Sequence, residues 1–424
     1  MQVIQKQTTM KRIVVFSIAT AMAATAATAQ MSQRVTVSNP SDFVRNAEPI
    51  TIMIDETKDI KSAIVTFNGE EIPCQLDDLD QNGKPDQLFF IASLGKRAAN
   101  TYNIAYSTTA KQRTYEPEVY CEMMLTNKKI KATNKQDLYI SSLTVDGKTN
   151  PYNMLHHHGP AFENKEVAYR IYFDHRQTID IYGKYSRALE LRDTQFYPDA
   201  EQKKQGYGDD VLWVGETLGC GALRGWADGK PQMIADLESR GMTIISRGPL
   251  RTIVKVTDKG WNPLYPTPCT DEQRITLNTL YILYASRRDV EVSATLSGLA
   301  SDIKLSTGLI NVKNSVELCD DGLRGCWGTD WPVSEKDSVG HKRETVGLGI
   351  CVPSSNVISE LPADNSNYPF VVGKIAKSMR YHITFASDNE TFPEGIHSAK
   401  AFFDYLAAWK RDVEQPCVIS CSRR

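Results

Sequence analysis

The chain has 424 residues, 41% hydrophobic, 9% aromatic and 24% charged, enough apolar material to bury a sizeable core; that excludes a disordered polymer. Its 49 Lys and Arg against 51 Asp and Glu leave a formal charge of −2, so no global basic field exists to hold nucleic acid or an anionic membrane. Nucleic acid is not an expected partner.

Residues 1–29 read as a signal peptide. Lys11 and Arg12 form a short basic region, 13–27 an apolar run, and Ala27-Thr28-Ala29 a small-x-small cleavage site. The run is too short and too rich in Ala and Thr to anchor in a membrane, and no later stretch approaches ~18 apolar residues, so membrane insertion is not expected. No Cys stands at the cleavage site for lipidation, and the expected location is periplasmic or secreted. The nine cysteines are an odd count without a C-x-x-C pair. Cys319 with Cys326, or Cys417 with Cys421, could close small loops in an exported protein; buried free thiols are the alternative.

From 30 to 110, short runs at 34–37, 50–54, 63–67, 87–91 and 102–106 alternate with period two, and Asn68-Gly69 and Asn82-Gly83 supply tight turns. The spacing predicts a small antiparallel β-sandwich. Its second turn reads Asp78-x-Asp80-x-Asn82-Gly83-x-x-Asp86, with oxygen ligands at positions one, three, five and nine that suit Ca²⁺. Phe89 stands where a full EF-hand loop has Glu, so a shorter calcium hairpin or a plain polar turn are the two readings.

The polar stretch 111–150 has weak periodicity and is read as a linker. From 151 to 424 long strand-like segments recur at 167–173, 178–185, 242–257, 274–296 and 378–386, predicting a large stacked-sheet sandwich with central strands covered on both faces. One helix is expected over 398–412, with Ala399, Phe402, Phe403, Leu406 and Trp409 on one stripe that packs on the sandwich. No G-x-G-x-x-G, P-loop, G-x-S-x-G or H-E-x-x-H motif is present, which disfavours nucleotide cofactors and the corresponding hydrolase chemistries.

Three of the seven histidines, His156, His157 and His158, stand together before a strand whose residues divide by parity. On an extended backbone His156 and His158 share one side and His157 the other. Val167, Tyr169, Ile171 and Phe173 make an apolar face; Arg170, Tyr172 and Asp174 make a chemical one. With a three-residue turn at His175-Arg176-Gln177, Tyr172 falls opposite Asp180, Arg170 opposite Tyr182 and Ala168 opposite Lys184. This face is either a salt-bridged surface or a site in which Arg170 and Lys184 neutralise a sugar carboxylate, His157 or His158 removes a proton, and Tyr172 or Tyr182 protonates a leaving group.

Further candidates to contact substrate are Glu163 and Asn164 after the histidines, Tyr207 and Asp209 in a Gly-flanked loop, Arg224 and Trp226 in a second such loop, and the strand residue His382. Trp213, Trp226, Trp261, Trp327 and Trp331 could stack on sugar rings or simply pack. Paired carboxylates among Glu163, Asp174, Asp180 and Asp209 would instead suit a glycoside hydrolase or epimerase, and aromatic platforms without a base would suit a non-catalytic glycan-binding protein. His156 and His158 with Glu163 form a weaker pattern for Zn²⁺.

At His157-His158-Gly159-Pro160-Ala161-Phe162-Glu163-Asn164, Ala168-Tyr169-Arg170, Ile179-Asp180 and Gly183-Lys184 the sequence resembles an exported bacterial family known only as a domain of unknown function. Tyr207-Gly208-Asp209-Asp210, Arg247-Gly248-Pro249-Leu250-Arg251 and the closing helix extend the likeness over nearly the whole mature chain. The resemblance implies a polysaccharide-utilisation setting, a galactose-mutarotase-like or polysaccharide-lyase-like supersandwich, an oligosaccharide substrate, and relatives acting as oligosaccharide dehydratases. Members of that family carry an acidic residue between His and Gly where this chain has His158. The expected protein is thus an all-β, exported carbohydrate-active enzyme that eliminates across a uronate.

Overall fold

The alternating runs near the N-terminus pair as strands in a computed structural model that describes residues 31–130, 135–298, 303–373 and 378–423. The expected signal peptide lies outside the described residues. One small sheet has the order Val418–Arg423, Met31–Ser38, Ala99–Ser107, Ser62–Phe67, Glu70–Ile72; the other runs Arg45–Met53, Gln87–Leu94, Cys74–Asp77. Val35, Ile50, Val65, Phe90 and Ile104 interleave between them as a separate core. One edge strand comes from the far end of the chain, with Val35 opposite Cys421.

Residues 111–150, read above as a linker, carry strands of the large sandwich. Val119–Glu122 edges a five-stranded sheet and Ser142–Asp146 edges a nine-stranded one. Edge strands of this length are too brief to leave a hydrophobic period in the sequence.

The nine-stranded sheet runs from Ser142–Asp146 through Ser239–Arg247, Arg251–Trp261, Ile275–Tyr284, Val290–Ser297, Ser378–Ser387, Glu344–Cys351 and Leu323–Asp330 to Val316–Asp320. Facing it are two five-stranded sheets, one of which is ordered Asp209–Asp210, Ile179–Gly183, Ala168–Ile171, Ala161–Asn164, Val119–Glu122. Val254, Tyr281 and Ile383 meet Phe162, Tyr169 and Ile181 in the shared core. Adjacent residues on the long strands point the other way: Ile253 joins Phe89 of the small sandwich while Val254 enters the shared core, and the apolar run 280–284 is likewise split between the two, so these strands are buried on both faces there. Arg251 pins that seam, donating Nε to Asp77 (2.8 Å), Nη2 to Gln87 (2.8 Å) and Nη1 to Thr51 (3.1 Å).

The closing helix, Ala399–Glu414, is capped by Ser398, whose side chain accepts from Ala401 N, and lays Phe402, Leu406 and Trp409 on the outer face of the same sheet. Gly325 and Gly349 make the approach possible, because a Cβ at Gly349 would stand 2.5 Å from Leu406 Cδ2. The architecture is therefore all-β, with a small sandwich, a large stacked-sheet sandwich and a C-terminal helix. All nine cysteines are unbridged, so neither small loop is closed. Among the described residues no helix is long and apolar enough to cross a membrane.

Candidate functional site

The strand Ala168–Ile171 divides as its parity predicts: Tyr169 and Ile171 enter the core, and Arg170 lies on the outer face. The pairing register differs by two residues from the expected one, with Arg170 opposite Asp180 and Ala168 opposite Tyr182. The turn is longer than three residues because Tyr172 N already bonds Thr178 O (3.1 Å) while Phe173 N turns to His158 O (2.8 Å). Asp174 organises this turn, accepting from Arg176 N (2.8 Å), Nε (2.8 Å) and Nη2 (2.6 Å). A slip of two preserves the face, so the chemical residues still converge.

Arg170 is their hub. Its Nη2 donates to Asp180 (2.6 Å), Asp210 (2.8 Å) and Tyr172 (3.3 Å), Nε to Asp180 (2.9 Å) and Nη1 to the Tyr197 hydroxyl (2.8 Å). Phe196 covers the guanidinium at 4.1 Å. Arg170 is thus spent on internal partners and is not the open cation that was expected. Burial, with the Asp180 carboxylate beside it, raises the Asp210 carboxyl well above its ordinary range against the opposing pull of Arg170, and its side chain remains 19% exposed. The Tyr172 hydroxyl donates to Asp180 (2.9 Å), and burial holds its phenol un-ionised.

The histidines are not extended. They form a short 3-10 turn in which His157 (φ 40°) and His158 (φ 68°) take left-handed backbone conformations. His157 is sealed, with Nε2 3.3 Å from Glu122 Oε1, and cannot reach a ligand. His156 is buried against Tyr197 with Nε2 unpartnered. His158, half-buried, lies flat on Tyr152 with ring centres 3.7 Å apart, and its Nδ1 is 3.1 Å from Tyr152 O. Burial pushes His156 and His157 down to about 3 and His158 down to about 4, so all three are neutral imidazoles at pH 7.

Several expected site residues lie elsewhere. Lys184 is fully buried in an ion pair with Glu163 and donates to Asn164 O and Ala188 O, and Glu163 also accepts from Glu190 N (2.9 Å) and Leu191 N (2.8 Å). Glu163 therefore does not join His156 and His158 as a zinc ligand. Asn164 spends its amide on Tyr284 O (2.8 Å) and Arg287 O (2.5 Å). Tyr182 is buried beneath Leu191 and Phe196 and bonds Glu190 (3.1 Å). The segment 185–208 folds over this half of the face because Leu191 and Phe196 need an apolar bed, which Ala161 and Ala168 provide.

Tyr207 bonds Asp193 (3.2 Å), and Asp209 pairs with Lys203. Arg224 is a buried brace, bonded to Arg176 O (3.0 Å), Glu216 O (2.7 Å) and Thr217 O (2.6 Å); burial lowers it to about 10. Trp226 is half-buried on the strand Arg224–Ala227, opposite Pro231. His382 lies on the outer face of the nine-stranded sheet, Nδ1 3.3 Å from Asp289 Oδ2, in a cleft of about 540 Å³ between the small sandwich and the closing helix. It faces away from the Arg170 cluster across the whole core.

What remains open around Arg170 is Tyr152, His158, Arg176, Tyr197 and Asp210. Tyr152, Arg176, Tyr197 and Asp210 are not singled out by sequence. Asp210 was legible only as Asp209's neighbour, until its pairing with Tyr182 set its position. Asp78, Asp80 and Asp86 do come together in the small sandwich.

The chain belongs to the family described as a domain of unknown function (DUF4861), whose model matches residues 37–419. No curated protein matches it. Among solved structures, a protein in glycosyl hydrolase family 38 from Enterococcus faecalis is similar over 92% of this chain and 47% of its own, at 9% identity and a TM-score of 0.43. An α-mannosidase from Enterococcus faecalis V583 is similar over 92% of this chain and 46% of its own, at 8% identity and a TM-score of 0.42. The chain spans about half the length of these proteins.

Proposed function

We propose that this member of the family is a carbohydrate-active enzyme that performs β-elimination on a uronate-containing oligosaccharide at the open end of the Arg170 cluster. The carrying observation is the surroundings of Arg176. Its guanidinium lies 4.5 Å from the Tyr152 ring centre and 4.8 Å from that of Tyr172, and His158 stacks on the same Tyr152 ring. Asp174 holds Nε and Nη2 and Tyr152 shares a hydrogen bond with the same guanidinium, whose half-buried head is the cation assigned to the ligand.

A uronate C5 proton sits beside a carboxylate and is hard to remove until that charge is offset. Arg176 takes the neutralising role expected of Arg170 and Lys184. His158, uncharged, accepts the C5 proton, and an arriving carboxylate raises its proton affinity at the moment a base is needed. The C5–H electrons become the C4=C5 bond, the C4–O4 bond breaks, and Asp210 gives its proton to the departing oxygen. The leaving group is a sugar hydroxyl in a lyase and water in a dehydratase. Arg170 acts through others, fixing Asp180, Asp210, Tyr172 and Tyr197.

Hydrolysis is the second reading, because Asp180 and Asp210 bind one nitrogen and so stand within roughly the 5–5.5 Å of a retaining carboxylate pair. Asp180 is fully buried under Arg170 and Tyr172, however, and has no room for an anomeric carbon. Incubation with a panel of uronate oligosaccharides, following ultraviolet absorbance of a C4=C5 bond, separates the readings. Absorbance that disappears in Arg176→Ala supports elimination; new reducing ends without absorbance support hydrolysis, and silence over the panel removes the elimination reading.

A further inference from the structure

The turn between the strands Cys74–Asp77 and Gln87–Leu94 gathers Asp78, Asp80 and Asp86, with one carboxylate oxygen from each lying within 4.8 Å of the others. Clustered surface carboxylates are common and carry little meaning alone. Asp86 adds an independent observation. It is only 7% exposed, and its Oδ1 is buried without any hydrogen-bond partner, while Oδ2 accepts from Leu79 N (2.9 Å) and Asp80 N (3.3 Å). A buried carboxylate oxygen left unpaired carries its full desolvation penalty, and such atoms call for a specific partner.

The rest of the turn is built to hold the other carboxylates in place. Asp78 accepts from Asn82 N (3.1 Å) and Gly83 N (2.7 Å), and Asp80 accepts from Asn82 N (3.1 Å) and Asn82 Nδ2 (2.9 Å). Gly83 takes φ 89°, the left-handed geometry that closes the loop. Oxygen is the only donor type offered, which suits a hard cation and not zinc.

We propose that this turn is a Ca²⁺ site in which Asp86 is the buried anchor and Asp78 and Asp80 are the outer carboxylates. Asn82 would join by turning its amide over, since its Nδ2 is now given to Asp80 and Glu56. The cation does more than settle a loop. Asp77 and Gln87, the residues flanking the turn, are two of the three that grip Arg251 of the nine-stranded sheet, and Asp86 N bonds Asp77 O (2.9 Å). Leu79, inside the turn, packs with Phe89, Leu250 and Ile253. Bound Ca²⁺ therefore tightens the seam between the small sandwich and the large one, on the face opposite the Arg170 cluster.

The test is calorimetric titration of the metal-stripped full mature chain with CaCl₂, with MgCl₂ as comparison, and thermal melting under both. The expected result is one Ca²⁺ per chain, with a Kd on the order of 10⁻⁴–10⁻³ M as in extracellular modules, a Tm that rises with Ca²⁺, and at least tenfold weaker Mg²⁺ binding. Asp80→Asn, at an exposed position that leaves folding intact, is expected to weaken Ca²⁺ at least tenfold, and Asp86→Asn to abolish binding. If Asp86→Asn does not fold, Asp80→Asn alone decides. No heat and no change in Tm at millimolar Ca²⁺, or wild-type affinity in Asp80→Asn, overturns the site.

Discussion

His157 Nε2 and Glu122 Oε1 stand 3.3 Å apart with both side chains fully buried. Burial raises the Glu122 carboxyl to about 8 and lowers His157 to about 3, so at neutral pH the pair is an uncharged hydrogen bond in which the carboxylic acid donates to the imidazole. Tyr120 donates to the other Glu122 oxygen (2.9 Å). The pair anchors the histidine turn to the edge strand Val119–Glu122 and takes no part in substrate chemistry.

A pH-dependent stability difference follows for Glu122→Gln. The folded carboxyl is raised above its unfolded value, so between about pH 4.5 and about 8 the folded chain holds a proton that the unfolded chain has released, and wild-type stability falls as pH rises through that window. Gln keeps a donor for His157 but does not titrate. The variant should gain on the wild type by up to roughly 1.4 kcal/mol per pH unit across the window. Denaturant unfolding at pH 5 and pH 8 measures this; equal differences at both would mean that Glu122 is ionised.

Lys184→Met should destabilise the fold by about 3–5 kcal/mol, because it strands Glu163 in a site with no exposure. Adding Glu163→Gln should recover part of the loss, since two neutral groups then replace one orphaned charge. Urea midpoints of the single and double variants report it, and a single variant as stable as wild type would contradict the sealed ion pair.

Asp210→Asn should lower turnover about 10²–10⁴-fold without lowering the Tm, because Asn fills the same space and no longer carries a proton to give. The wild-type rate should fall as pH rises through the elevated Asp210 pKa, and that alkaline limb should vanish from the residual rate of the variant. Rates across pH on the best substrate of the uronate panel provide the check; an unchanged limb would move the acid role to another group.

Gly349→Ala should cost about 1–3 kcal/mol, because the added methyl meets Leu406 and lifts the closing helix from the sheet. A second substitution, Leu406→Ala, should make the two changes less than additive, as expected of residues in contact. Thermal melts of the three proteins decide it.

Much of the fold was legible because burial imposes a period. Alternation in 63–67 and 102–106, the apolar run 280–284 and the stripe Phe402, Leu406, Trp409 each state which side is covered. Parity likewise placed Arg170, Tyr172 and Asp180 on one face, and that survived a two-residue slip because strand side chains repeat every second position. The short strands of 119–122 and 142–146 escaped notice because four or five residues carry no measurable period.

The amino-acid order alone determined the all-β class, the position of the polar face and the close grouping of Asp78, Asp80 and Asp86, since each depends on neighbours in sequence or on strand parity. Tertiary structure alone decided which charges are spent and which remain available. Lys184 met Glu163, Arg170 met Asp180 and Asp210, and His157 met Glu122, leaving Arg176 and His158 at the opening. Those partners arrive from up to 40 residues away, and the free energy of an ionisable group is set by the desolvation and counter-charges that only the assembled fold supplies.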